Sequence, residues 1–120
     1  MPTPLISIVD DDESVRTALD SLIRSLGYSV DLFASAQDFL DSPAIHRYAC
    51  LILDVQMAVL SGLDLQEQLL VREIKLPLIF ITAFPDLSLR NRALAAGALA
   101  FLSKPFDVHT MVRLLESVVP

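Results

Sequence analysis

The sequence predicts an α/β fold in which five strand–helix units wind around one parallel sheet. Three observations carry the prediction. Short apolar, β-branched runs alternate five times with segments whose apolar residues fall at helical spacing. The strand runs are apolar without the clean alternation of a half-exposed sheet, so both faces must be covered. Ser or Asp stands where four of the five helices would start, ready to cap the free N–H groups there.

In chain order, Leu5-Ile6-Ser7-Ile8-Val9 reads as the first strand. Val15, Leu19, Leu22, Ile23 and Leu26 then form a helical stripe that Gly27 stops. Val30 to Phe33 is a half-buried second strand, and Ser35 caps a short helix carrying Phe39 and Leu40, broken at Ser42-Pro43. Leu51 to Leu53 is the third strand, with Asp54 at its C-terminal tip. Ser61-Gly62-Leu63-Asp64 has the form of a capping box and opens a helix with Leu65, Leu69 and Leu70 on its apolar face. Leu78 to Thr82 is the fourth strand; Asp86 caps a helix running through Leu89, Ala93 and Ala96 to Gly97. Leu99 to Leu102 is the fifth strand, and Asp107 caps a last helix with Val108, Met111, Val112, Leu115 and Val118 at helical spacing. Each crossover is expected to be right-handed.

The chain has 120 residues, enough for one domain with a proper core, and its 53% hydrophobic content is too high for a disordered segment. No apolar run reaches the roughly 20 residues of a bilayer span, and no signal-peptide pattern opens the chain, so a cytoplasmic protein that avoids membranes is expected. A net charge of −6 argues against direct nucleic-acid binding by this domain. The one cysteine, Cys50, precedes a strand and reads as a buried structural thiol. The Met1-Pro2-Thr3-Pro4 lead is expected to fray. His46 and His109 are not spaced as a metal pair and read as surface residues, and Arg90 and Arg92 read as a solvated helix face.

The chemistry gathers at the strand tips. Asp10 and Asp11 follow the first strand, Asp54 ends the third, Thr82 ends the fourth and Lys104 follows the fifth. In the flavodoxin-like order 2-1-3-4-5, the crevice opens between the first and third strands, where Asp11 and Asp54 would face each other. Carboxylates this close repel, and a hard divalent cation such as Mg²⁺ is the natural compensation. A cation together with Lys104 also suits an incoming phosphoryl group, with one carboxylate left as the nucleophile. Thr82 offers a hydroxyl to a phosphoryl oxygen.

Val9-Asp10-Asp11, Asp54, Ser61-Gly62, Thr82-Ala83, Gly97-Ala98 and Lys104-Pro105-Phe106 occur in order and span nearly the whole chain. Together they resemble the receiver domain of bacterial two-component response regulators. The resemblance implies one (βα)5 flavodoxin-like, doubly wound receiver over residues 1–120. It implies that Asp54 is the phospho-acceptor and Lys104 the phosphate-binding lysine. Mg²⁺ or Mn²⁺ would be held by Asp10, Asp11, Asp54 and the backbone carbonyl of Gln56, and Thr82 and Phe101 would be the switch pair. It also implies a cis Lys104-Pro105 bond. The expected partners are a sensor histidine kinase, a DNA-binding output domain outside this chain, and a second copy through the face formed by the fourth helix, fifth strand and fifth helix. Such a domain is no enzyme in the usual sense, catalysing only its own phosphorylation and slow dephosphorylation. The chain would then be a stand-alone receiver or the N-terminal piece of a longer regulator.

Two stretches depart from the family pattern. Where relatives carry Met-Pro-Gly or similar after the acceptor, this chain has Met57-Ala58-Val59-Leu60, and Phe84-Pro85 follows Thr82-Ala83. They leave open a degenerate receiver that works as a phosphorylation-independent interaction module. A flavin carrier of the same architecture is disfavoured by the four acidic residues after the first strand, which repel a bare phosphate.

Overall fold

Runs of Ile, Leu and Val become strands because branched side chains pack well on a surface covered from both sides. The computed structural model describes residues 3–119, so the expectations for Met1-Pro2 and for the end at Pro120 lie outside the described residues. The elements are β1 (Leu5–Val9), α1 (Glu13–Ser25), β2 (Ser29–Phe33), α2 (Ala36–Leu40), β3 (Cys50–Asp54), α3 (Gly62–Val71), β4 (Leu78–Thr82), α4 (Leu87–Ala95), β5 (Ala100–Ser103) and α5 (Val108–Val118). All strand pairs are parallel, and the sheet order is β2-β1-β3-β4-β5, as the family resemblance implied.

Alternate strand residues serve opposite faces, the consequence of a two-residue period. Ile6, Ile8, Cys50, Ile52, Ile79 and Ile81 meet α1 and α5 through Leu19, Ile23, Met111 and Leu115. Val9, Leu51, Leu53, Leu78 and Phe80 meet α2, α3 and α4 through Phe39, Leu65, Leu69 and Ala93. β3 is buried at all five residues. Cys50 is fully buried and its thiol is pushed up to about 12 by that burial, which makes it inert.

The caps act as read. Ser35, Asp86 and Asp107 accept backbone N–H groups of the helices they precede, and Ser61 and Asp64 form a complete capping box. Gly27 takes φ +95°, the left-handed turn that ends α1. His46, His109, Arg90 and Arg92 are exposed. No helix among the described residues is long and apolar enough to cross a membrane.

Three expectations need correction. Leu70 is 57% exposed: Leu65, Gln66 and Leu69 fill the inward side of α3, and one residue further turns the chain about 100° away. Ala96 caps α4 rather than continuing it, and is exposed. β5 begins at Ala100, not Leu99. Leu99 donates its N–H to the Leu78 carbonyl at 2.8 Å, but it precedes this edge strand and its side chain stays 38% exposed. β2 starts one residue earlier, at Ser29, and β3 extends one residue at each end, to Cys50 and Asp54, because ladder pairing continues beyond the apolar run.

Candidate functional site

The parallel ladder brings the C-terminal ends of β1, β3, β4 and β5 to one edge of the sheet. Asp10 follows Val9, Asp54 and Thr82 are the last residues of their strands, and Lys104 follows Ser103. The Lys104 N–H donates to the Thr82 carbonyl at 2.8 Å, extending the β4–β5 pairing into the site. The Lys104-Pro105 bond is cis.

Lys104 organises the charges. Its Nζ lies 2.7 Å from Asp54 Oδ2 and 3.1 Å from Asp10 Oδ2. Asp10 is fully buried, Asp54 nearly so and Thr82 equally hidden. The remaining oxygens are held by backbone: the Asp12 N–H donates to Asp10 Oδ1 and the Gln56 N–H to Asp54 Oδ1, each at 2.9 Å. Arg16 reaches back from α1 and donates from Nη1 to the Asp10 carbonyl at 2.7 Å.

Burial pushes the Asp10 carboxyl above its ordinary value, against the opposing pull of the Asp12 N–H and Lys104. Burial alone would lower Lys104, but its bonds to Asp54 and Asp10 outweigh it and hold the ammonium above its usual range. A carboxyl with a raised folded pKa binds its proton more tightly folded than unfolded. Its contribution to stability is therefore fully present below the unfolded value of 3.8 and lost as pH rises through the folded value. Asp10→Asn is accordingly expected to raise the thermal midpoint at pH 7 in metal-free buffer. An unchanged or lower midpoint in a melting curve would contradict the burial argument.

Thr82 Oγ1 accepts the Phe84 N–H at 3.1 Å, so the hydroxyl is turned onto its own loop. Phe101 is half-buried, and its ring lies 6.1 Å from that of Phe80. Phe84 is 68% exposed. The departure after Asp54 has a structural cost. Val59 sits at φ +68°, where a β-branched residue is strained, in a tight turn closed by the Leu60 N–H on the Ala58 carbonyl at 2.8 Å. Ala58, unlike proline, has an N–H, and it donates to Asp11 Oδ2 at 3.4 Å. Beyond this loop, Gly62 permits the close approach of α3 to β3: a Cβ there would stand 2.2 Å from the Asp54 carbonyl oxygen.

The structure thus brings Asp10, Asp54 and Lys104 into direct contact, sets Thr82 and Gln56 beside them, and turns Asp11 toward Ala58. Among the described residues no three acidic or other ligating side chains converge as they would around an ion, because the Lys104 ammonium stands between Asp10 and Asp54. The donor chemistry nonetheless suits a hard cation. The residues offer only oxygens, and the two buried carboxylates, with Asp11 following Asp10 in the chain, share a single ammonium. Reading the sequence missed Arg16, for which no local signal exists. It also missed the Ala58 contact, whose signal was the absent proline.

The family described as the response regulator receiver domain matches residues 6–116. The response regulator protein TodT of Pseudomonas putida is 46% identical over 115 residues, which cover 96% of this chain and 51% of that protein. The transcriptional regulatory protein FixJ of Bradyrhizobium diazoefficiens is 33% identical over 114 residues, covering 95% of this chain and 56% of that one. The chain therefore spans about half the length of the curated relatives it matches. Among solved structures, FixJ-N superposes with a TM-score of 0.86 at 30% identity, covering 98% of this chain and 94% of that one. The response regulator StyR superposes with a TM-score of 0.85 at 40% identity, covering 98% and 60%. A family match over nearly every element, together with the five-stranded order and these identities, shows that the chain belongs to the receiver domain family of two-component response regulators.

Proposed function

We propose that this receiver accepts a phosphoryl group on Asp54 and uses it to move the β4–α4 loop and α4. The observation that carries the reading is the Lys104 ammonium bridging Asp54 and Asp10 at the open end of the sheet. A carboxylate oxygen of Asp54 attacks the phosphorus of a histidine kinase's phosphohistidine or of a small acyl phosphate. The new O–P bond forms as the donor's P–N or P–O bond breaks, and the donor leaves with the electron pair. Lys104 then follows the growing negative charge from the carboxylate to the phosphoryl oxygens. Asp10, Asp11, Asp54 and the Gln56 carbonyl would hold Mg²⁺ or Mn²⁺, which supplies charge neutralisation for the transferred group.

Thr82 is the reporter. Its hydroxyl exchanges the Phe84 N–H for a phosphoryl oxygen, a stronger charge-assisted partner, and draws the loop inward. Phe101 follows on the same edge of the sheet. The α4–β5–α5 face so altered passes the signal to an output domain, read as DNA-binding because relatives such as FixJ carry the name transcriptional regulatory protein, or to a second copy of this chain. The setting is the cytoplasm, with a sensor histidine kinase as donor.

Incubation with acetyl phosphate and Mg²⁺, followed by intact mass measurement, tests the reading: one added phosphoryl group is expected, and none without the metal. Thr82→Ala should leave that adduct in place while removing most of the shift in backbone amide signals of the β4–α4 loop. A full shift in the variant would remove Thr82 from the switch. The phosphorylation-independent reading has one observation in its favour, the Asp11 oxygen engaged by the Ala58 N–H, and it predicts no adduct from either donor.

A further inference from the structure

α4 is the most weakly anchored of the long helices. Only Ala93, a single methyl group, is fully buried from it, whereas α1, α3 and α5 each bury at least two larger side chains. The seam between α3 and α4 is also open. Cavities of about 640, 260 and 390 Å³ follow one another along it, from Gly97 at one end to Gln56 at the other.

One bond crosses that seam. Gln66, only 4% exposed, donates from Nε2 to the Ala93 carbonyl at 3.0 Å. The same carbonyl already accepts the Ala98 N–H at 3.0 Å in the turn that ends α4. The carbonyl therefore has a partner without Gln66, and a Leu or Met at 66 would cost less to bury than an amide. Satisfying the backbone does not explain the glutamine. The acceptor lies in the last turn of α4, where the helix dipole makes carbonyl oxygens most negative and a donor most effective.

We propose that the Gln66 side chain pins α4 to α3 in the resting protein, and that α4 shifts only when this bond is released. For its trigger the proposal rests on the phosphoryl-driven switch above, but its first test does not. Beyond Ala93, only the partly buried Leu89 ties the apolar face of α4 to the core. Releasing the pin lets α4 move over open seam with few packed contacts to break, those of Ala93 and Leu89. The glutamine thus sets how readily the helix leaves its resting place.

Hydrogen exchange on the unphosphorylated protein tests this. In Gln66→Met, which keeps length and bulk, the α4 amides should exchange about tenfold faster while β1, β3 and α5 amides keep their wild-type rates. Unchanged α4 rates, or equal acceleration in every element, would overturn the proposal. A second measurement needs no variant. In wild type, the Gln66 side-chain amide protons should exchange more slowly than those of exposed Gln68, and lose that protection when beryllofluoride and Mg²⁺ are added. If α4 signals move while the Gln66 amide stays protected, the pin is not released and the proposal fails. Acetyl phosphate labelling of the same wild-type sample, read by mass, reports separately on Asp54.

Discussion

Asp54→Asn is expected to abolish the acetyl phosphate adduct completely, while the protein still folds and melts cooperatively. The reasoning is chemical first. An amide oxygen is a far poorer nucleophile than a carboxylate oxygen and cannot form the acyl phosphate. It is also positional. Asp10, the other carboxylate bonded to Lys104, is fully buried and already bonded through one oxygen to the Asp12 N–H and through the other to Lys104. Asp11 is turned toward the Ala58 N–H and makes no bond to Lys104 among the described residues, so the loss should be total rather than partial. The fold should survive, because Asn keeps the size of the side chain and an oxygen for the Gln56 N–H. Intact mass with and without Mg²⁺, beside a thermal melt, measures both halves. A residual adduct in the variant would place the chemistry on another residue.

The largest effect on stability is expected at Gly62. An added Cβ would lie 2.2 Å from the Asp54 carbonyl oxygen and 2.9 Å from the Val55 Cα, both backbone atoms of buried residues at the end of β3. Neither can yield as a flexible side chain would. The Gly62 N–H also donates to the Val55 carbonyl at 2.8 Å, so retreat of the helix start breaks a buried hydrogen bond as well. Gly62→Ala should therefore destabilise by about 3 kcal/mol or more, in the range of overpacking combined with lost buried bonds. For a domain of this size that lowers the melting midpoint by roughly 10–15 °C. A shift within a few degrees would mean that α3 can move away from β3 at little cost. Any change in phosphoryl acceptance in this variant should scale with the displacement of Asp54, since the clash falls on that residue's own carbonyl.

Much of the molecule was legible in the residues. Ser35, Ser61, Asp86 and Asp107 announced their helices because capping depends on chemistry a few residues long. The parallel, doubly covered sheet followed from five alternating units, and its strand order from the family resemblance that the tip residues carried. What resisted was whatever depends on distant neighbours. Leu70 and Leu99 look like core residues locally, and only the positions of α3 and of the sheet edge expose them. Gln66 looks like a surface residue, and only the placement of α4 buries it. At the site, residue types and their edge could be read, but the engagements could not. Nothing local says that Lys104 holds two carboxylates at once, or that the Thr82 hydroxyl rests on the Phe84 N–H.

The Lys104 bridge has a consequence for how the protein comes into being. Its bond to Asp10 joins residues 94 positions apart, and its bond to Asp54 joins residues 50 apart. A chain emerging from the ribosome holds Asp10, Asp11 and Asp54 long before the lysine that completes the site. Closing so long a loop is among the slower and costlier steps of assembly. Until β5 docks, Asp10 and Asp54 have water but no ammonium. On the mechanism proposed above, a chain still lacking its last strand would have no lysine to meet the transferred charge, and would stay silent.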